Sequence, residues 1–440
     1  MISLPKGGRA LLAVQDCATE SSSYNEVRPA ALEDYVRILL IHPTGFEQVQ
    51  GATEAYYVTQ YLRRNHVLTC LVGGRKFEKA LRQSCTPSLE KARVCHYEIK
   101  RIRMRRRIFP YWVSFDVRAA AKLLFGICKR FDLLYTYKGV LLTPLLAKSL
   151  FKSIWVCDLR SAPIEQEREF LGLAGKLTLL KRLYLKGLKR AYHWSLSYAD
   201  MVITLSPHLF ELLCEEYRVN RDRIFLLPLG VDQNLFRSKL DNPPSDVGEL
   251  IVVSSIGPQR GFETILRAVA ILAEMGEVVH LKIVGSGPDA VMHSLKQMAE
   301  QLKIHHLIEW LGRREHVEIP GLLEKAGIAL CILPDIEAYR VASPTKILEY
   351  LSMGKAVIAS DIPSNRALIR SGWNGLLVQA DSPEALAEGI RRLRNDTSLR
   401  ERLQTNARES VRDNDWEKLL LNLESRLIAL VEHRVNRRKE

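Results

Sequence analysis

The chain has 440 residues, 47% of them apolar and 26% charged, which excludes a disordered, collagen-like or fibrous protein and predicts two or three domains. Its 64 Lys and Arg outnumber 50 Asp and Glu for a net charge of +14, so some surface should attract phosphate, nucleic acid or anionic lipid. The eight cysteines are scattered without a Cys-x-x-Cys pair, which points away from structural zinc and toward a reducing cytoplasm. No apolar run reaches the ~18 residues of a membrane span, and the first residues lack the order of a signal peptide.

Residues 1–34 have no sustained periodicity and read as an extension. From Tyr35 the run Val36 to His42 is an apolar strand ending in Pro43-Thr44-Gly45, followed by a helix from Ala52 to Arg64 and a second strand from His66 to Val72. That opening favours a parallel sheet covered on both faces. Further strands are predicted at Leu133–Tyr137, Ile154–Asp158, Met201–Leu205 and Ile224–Leu227. The turn-rich cluster Asp241 to Asp246, with Pro243 and Pro244, places a hinge. A second series follows, with strands at Leu250–Ser255, Val279–Val284, Leu307–Leu311, Ile328–Leu333, Ala356–Ala359 and Gly375–Val378, and helices at Thr264–Glu274 and Asp289–Leu302. The fold class is α/β: two doubly wound, Rossmann-like domains, 35–240 and 241–415, facing a cleft. A final helix in 416–440 closes the second domain or crosses back to the first.

The segment Ala342 to Ser360 is the most informative. Ser343 is a good N-cap and Pro344 suits the first helical position, and Gly354 would end the helix before a buried strand. Lys346 then falls in the first turn, where the helix dipole disfavours a cation by roughly 0.3–1 kcal/mol. A bound anion would remove that conflict, because free N–H groups and the ammonium would converge on it. Glu349 shares the face and could accept from sugar hydroxyls, so phosphate plus ribose fits the layout. The competing reading is that Lys346 reaches solvent and Glu349 simply pairs with it.

With these residues the sequence resembles the retaining nucleotide-sugar glycosyltransferases of family 4, which have the GT-B fold. Pro344, Lys346, Glu349, Tyr350 and Gly354-Lys355-Ala356-Val357-Ile358 match that family's signature in its second domain. The resemblance implies that Glu349 binds the donor ribose and that Ser343 to Lys346 hold diphosphate or sugar. Val202 to Ser206 and Arg223 to Asp232 resemble its strand and interdomain crossover, with Leu229 in place of Asn. At Val252 to Gly261, Arg260 fits the later of two leaving-group cations, and Ser255 stands where the earlier Arg would be. Arg suits a diphosphate and would stabilise charge that grows as the glycosidic bond breaks. The paired-glutamate motif is incomplete, since Val341 lies eight residues before Glu349, and Glu337 is the nearby candidate for the donor sugar.

In the first domain Gly45 and Gly51 occupy the place of the family's glycine loop, Gly51 toward the donor phosphates and Gly45 toward the acceptor. Asp158 and Arg160 end a strand where related enzymes face the cleft, Asp158 as a catalytic candidate and Arg160 as a sugar or acceptor contact; Ser161 replaces a second Asp. Gly285-Ser286-Gly287-Pro288 is a tight turn into a helix that matches the family's donor-binding turn. Two basic tracts remain. Lys100–Arg107 is followed by aromatics, and Lys176–Arg190 puts Arg182, Lys186, Lys189 and Arg190 on one helical face and Leu177, Leu180, Tyr184 and Leu188 on another. Both suit an anionic membrane surface. No nucleic-acid-reading module is recognisable.

The resulting expectation is a retaining transferase moving a sugar from a nucleotide-diphosphate donor to a hydroxyl of a glycan or lipid-linked acceptor, peripheral on the cytoplasmic membrane face. The resemblance implies that it needs no metal and no cofactor, the nucleotide-sugar being a substrate. The alternative is a non-catalytic GT-B-like protein that binds membrane or a partner, motivated by Ala52, Ser255 and Val341 at positions that usually carry function.

Overall fold

The computed structural model describes residues 36–42, 54–72, 95–98, 111–126, 131–137, 141–160, 164, 179–238, 246–340 and 344–436. These lie in one compact unit, Val36–Glu440. The expected extension 1–34, the glycine loop with Gly45 and Gly51, Lys100–Arg107, residues 241–245 of the hinge cluster, and Val341 to Ser343 fall outside the described residues.

The first half builds β1 (Arg37–His42), α1 (Glu54–Asn65), β2 (Val67–Val72), β3 (Cys95–Glu98), α2 (Tyr111–Gly126), β4 (Leu133–Tyr137), α3 (Leu142–Phe151), β5 (Ile154–Leu159), α4 (Leu179–Tyr198), β6 (Met201–Thr204), α5 (Pro207–Glu215) and β7 (Ile224–Leu226). The strands form a seven-stranded sheet in the order β3-β2-β1-β4-β5-β6-β7, every described pair parallel. The second half builds β8 (Asp246–Val253), α6 (Phe262–Glu274), β9 (His280–Val284), α7 (Asp289–Gln301), β10 (Ile308–Gly312), α8 (Ile319–Lys325), β11 (Ala326–Cys331), α9 (Glu337–Arg340), α10 (Thr345–Ser352), β12 (Ala356–Ser360), α11 (Pro363–Arg366), β13 (Leu376–Val378), α12 (Pro383–Asn395), α13 (Thr397–Ser410) and α14 (Trp416–Asn436). Its six strands run β10-β9-β8-β11-β12-β13, again parallel. Two α/β layers with parallel sheets are what the alternating pattern predicts.

The reason for the apolar runs is visible in β1. Ile38 and Leu40 pack into one apolar cluster and Leu39 and Ile41 into another on the opposite face, so a strand covered on both sides needs no polar alternation. Each sheet reverses its winding direction, between β1 and β4 in the first and between β8 and β11 in the second. In such sheets the loops at the carboxyl ends of the strands open a crevice at this reversal.

Several expectations need correction. Asp246, placed in the breaking cluster, is the first residue of β8 and pairs with Ala326, because sheet pairing overrides its local turn preference. The short edge strand β3 was not anticipated; four residues with His96 and Glu98 among them carry too little periodicity. Helix α10 starts at Thr345 with Pro344 as its N-cap, one residue later than expected, and without a side-chain cap. Its C-terminal end is as read, with Gly354 at φ 66°, where a glycine avoids the strain of a left-handed backbone.

The two sheets are joined twice. Leu227, Leu229, Val231 and Phe236, after β7, are buried in the apolar cluster that also takes in Ile347, Leu348 and Tyr350 of α10. At the other end of the second half the chain comes back beside this crossover: Val231 N–H donates to the Asn414 carbonyl at 2.8 Å and Trp416 N–H to the Val231 carbonyl at 3.2 Å. The Trp416 ring lies where a Cβ on Gly230 would be, 2.6 Å from it, so only glycine fits. Helix α14 then packs on α1, with Tyr57 stacked on Trp416 at 5.2 Å, Arg64 paired to Glu417 at 2.6 Å and buried His66 to Glu424 at 2.9 Å.

Candidate functional site

The carboxyl ends of β8, β9, β10 and β11 assemble the candidate site. The β9 loop lies backbone to backbone with its neighbours on both sides: Ile256 N–H, after β8, donates to the Ser286 carbonyl at 2.9 Å, and Gly285 N–H donates to the carbonyl of Gly312, the last residue of β10, at 2.8 Å. A Cβ on Gly285, whose φ is 153°, would sit 1.8 Å from the Ser254 carbonyl oxygen, and one on Gly287 2.0 Å from that of Ile256. Gly285, expected at the donor, therefore serves the close approach of the two loops. Gly285→Ala should destabilise the fold by roughly 2–4 kcal/mol. A denaturant midpoint equal to wild type would refute this role.

Gly261 holds the next loop against β11, since a Cβ there would lie 2.2 Å from the Ile332 carbonyl oxygen at a φ of 73°. This contact places the preceding residue, Arg260, at the end of β11, its guanidinium 5.4 Å from the centre of the Tyr339 ring. Burial pushes the Cys331 thiol up to about 12, and Arg260 and Lys346 both pull against that rise. Arg260 is thus held at this strand end from the β8 loop, and Lys346 comes from the first turn of α10.

Lys346 lies in the first turn of α10 as expected, and in this structure its Nζ is 3.1 Å from Glu349 Oε2, with a fifth of the side chain exposed. Glu349 is buried, and its other oxygen, Oε1, lies 2.9 Å from Nε2 of His316. Burial acts to raise the Glu349 pKa, yet the His316 hydrogen bond and the charge of Lys346 outweigh it and hold the carboxyl below its ordinary value. The carboxylate is therefore kept ionised, an acceptor for hydroxyl donors. Tyr350, wholly buried, fixes the helix by accepting from Val253 N–H at 2.9 Å.

Sequence reasoning missed His316, Phe236 and Tyr339 as parts of this site. His316 follows β10 by four residues and its ring stands 5.0 Å from that of Phe236. Its only sequence signal was a histidine in the loop after a strand. Glu337 opens α9, the short helix that carries Tyr339; Ser343 lies outside the described residues.

In the first half, Asp158 and Arg160 lie together at the end of β5, but not as two free groups. Asp158 is completely buried; one of its oxygens accepts from Tyr135 Oη at 2.6 Å and from Arg160 Nη2 at 2.9 Å. Arg160 also donates to the Leu227 carbonyl at 3.2 Å, at the start of the crossover. Asp158, the catalytic candidate of this half, fixes the Arg160 guanidinium, as a carboxylate so deeply buried would be costly without a partner. Among the described residues no group of three or more His, Cys, Asp or Glu side chains could hold a metal ion.

Residues 236–410 match the family Glycosyl transferases group 1. The match covers 175 of the 440 residues. It begins at Phe236 and contains Arg260, His316, Lys346 and Glu349. The chain is 24% identical over 232 residues to the D-inositol 3-phosphate glycosyltransferase of Corynebacterium glutamicum, covering 50% of this chain and 54% of that protein. It is 28% identical over 197 residues to the phosphatidyl-myo-inositol mannosyltransferase of Mycobacterium tuberculosis, 43% of this chain and 50% of the relative. The matches therefore span about half the length of these curated relatives. In three dimensions the Anabaena protein Alr3699/HepE, crystallised with UDP and glucose, superimposes with a TM-score of 0.66 at 17% identity, over 90% of this chain and 100% of the other. Sucrose-phosphate synthase from Thermosynechococcus elongatus gives 0.67 at 18%, with the same coverage. The chain has the GT-B fold, and the matched segment supplies the second sheet.

Two cationic features of the first half bear on partners. Lys100–Arg107 lies outside the described residues. Helix α4 carries the second tract, and its inward face includes the described members of the expected one: Leu188 is buried with Leu185, Tyr192 and Leu196, and Tyr184 packs against them. Lys189 is taken up by Glu216. Lys181, Arg182, Lys186 and Arg190 remain exposed, and beside them Leu179, Leu183, Trp194 and Tyr198 are 72%, 57%, 55% and 47% exposed. Leu177 and the side chain of Leu180 lie outside the described residues. Among the described residues no helix is long and apolar enough to cross a membrane.

Proposed function

We propose that the protein transfers a sugar, with retention of configuration, from a nucleotide-diphosphate sugar to a hydroxyl of a glycan or lipid-linked acceptor. The observation that carries this reading is the buried Glu349 paired with Lys346 in the first turns of α10, with Arg260 held by the neighbouring loop at the carboxyl edge of the second sheet. The match of residues 236–410 and the UDP and glucose held by the Anabaena neighbour support it.

In this mechanism Glu349 accepts from the donor ribose, and Arg260 and Lys346 bind the diphosphate. The bond from the sugar's anomeric carbon to the diphosphate oxygen breaks, and its electron pair leaves with the diphosphate. The acceptor oxygen forms the new bond on the same face and passes its proton to a diphosphate oxygen. Fixed cations stabilise the charge that develops there, so the chemistry calls for no metal and no further cofactor. Arg160, locked by Asp158, is the contact assigned to the acceptor side.

A thermal-shift and product screen against UDP-, GDP- and ADP-sugars, with and without solubilised lipid acceptors, tests the proposal. Stabilisation by one nucleotide and acceptor-dependent release of it are expected. No stabilisation by any nucleotide, with vesicle binding intact, would point instead to a non-catalytic membrane-binding protein.

The exposed face of α4 is the proposed contact with an anionic membrane on the cytoplasmic side, where each basic residue contributes about 1 kcal/mol and exposed Leu and Trp side chains add apolar insertion. Reversing Lys181, Arg182, Lys186 and Arg190 to Glu should weaken binding to phosphatidylglycerol vesicles by more than about 100-fold and leave nucleotide binding unchanged. Equal sedimentation of variant and wild type with vesicles would remove this surface from the account.

A further inference from the structure

We propose that His316 is a positioning residue for the donor ribose, holding one oxygen of Glu349 in place while the other exchanges Lys346 for a ribose hydroxyl. The proposal rests on the nucleotide-sugar reading and adds to it a residue outside the recognised signature.

The argument begins with the two oxygens of Glu349. Oε2 faces Lys346 at 3.1 Å and Oε1 faces His316 at 2.9 Å. An ionised carboxylate only accepts, so Nε2 of His316 carries the hydrogen and donates. Lys346 sits on a flexible stem, and an incoming diphosphate offers its ammonium more negative charge than a single carboxylate does. When Lys346 turns to the diphosphate, Oε2 is released to the ribose and Oε1 keeps its bond to His316. Without that bond a buried carboxylate would be free to rotate, and the hydroxyl it accepts from would lose a fixed partner.

The histidine is itself braced. Its ring is part-buried between Glu349 and the ring of Phe236, 5.0 Å away. Phe236 is buried, and its carbonyl accepts from Ser352 Oγ of α10 at 2.7 Å. Residues 316, 349 and 236 thus come from the β10 loop, α10 and the crossover, and the imidazole closes a loop of contacts that returns to the helix bearing Glu349. A ring held on both sides suits orientation of a partner better than proton exchange with solvent.

The test compares a ribonucleoside diphosphate with its 2′-deoxy and 3′-deoxy counterparts by calorimetry, using whichever of UDP, GDP and ADP binds wild type. Wild type should prefer the ribose form over at least one deoxy form by about 10- to 100-fold, the size of a hydrogen bond to a charged group. In His316→Ala that preference should fall to about threefold or less, while affinity for the deoxy form stays near its wild-type value. His316→Gln, whose amide can donate at the place of Nε2, should recover most of it. An unchanged preference in a folded His316→Ala would overturn the proposal, and so would equal weakening toward ribose and deoxy forms. Failure of every nucleotide to bind wild type would overturn the transferase reading itself, a result seen before any variant is made.

Discussion

Glu349→Ala should lower kcat/KM by about 100-fold or more, most of it through the donor KM. The carboxylate is buried, ionised and held by His316 and Lys346, so the cost of desolvating and orienting it is met before the donor arrives. Truncation removes the acceptor and strands two donors, and some loss of stability is expected with it. Glu349→Gln separates the two effects. It keeps the shape and one acceptor oxygen, should fold with a Tm close to wild type, and should still raise the donor KM at least about tenfold because the charge is gone. Steady-state kinetics with the donor varied at saturating acceptor decides the matter. An unchanged kcat/KM in either folded variant would sink the ribose assignment.

Arg260→Ala and Lys346→Ala should act on the other side of the reaction. Both cations lie at the end of β11, where they oppose the rise in the Cys331 pKa, and the charge on a departing diphosphate grows toward the transition state. An interaction that strengthens on the way to the transition state appears in kcat. Each substitution should therefore cut kcat by about 100- to 1000-fold, the range seen for removal of one fixed donor to a developing negative charge. Lys346→Ala should also weaken donor binding, because its place in the first turn of α10 leaves the helix dipole without its added cation at the anion. In Arg260→Ala stability should change little, since Arg260 is part-exposed and rests on Tyr339 through a contact worth only about 1 kcal/mol. Single-turnover rates with bound donor would reveal this, and a loss confined to acceptor KM would contradict it.

How much of this was legible depends on how far apart the cooperating residues lie in the chain. Lys346 and Glu349 sit within one helical turn, so spacing alone placed them together, and the misfit of a cation at a helix start drew attention to an anion. The same spacing supported the plain ion pair that the structure displays, and the two readings meet in one carboxylate with two oxygens. His316 is 33 residues from Glu349 and 80 from Phe236, and no local pattern encodes that juxtaposition; only the parallel order of β10, β9, β8 and β11 creates it. Asp158 was read correctly as a strand end, but its burial depends on Tyr135 of the neighbouring strand, which a linear reading cannot rank. Gly285 was assigned to the donor by its match to the family's turn, which says nothing of what its backbone packs against. The Ser254 carbonyl in the space of its missing side chain is a long-range fact.

The double connection between the sheets has a mechanical consequence. A single extended strand joining two bodies lets them swivel about its own axis as well as bend. Here the crossover at Val231 and the returning strand at Asn414 to Trp416 are laterally bonded, so they behave as a leaf spring: soft to flexing across its width and stiff to torsion. Arg160, bonded to Leu227 at one end of that spring, and Phe236, braced against His316 at the other, keep a constant facing along it, and a cut in either strand would free the twist without breaking the chain's other tie.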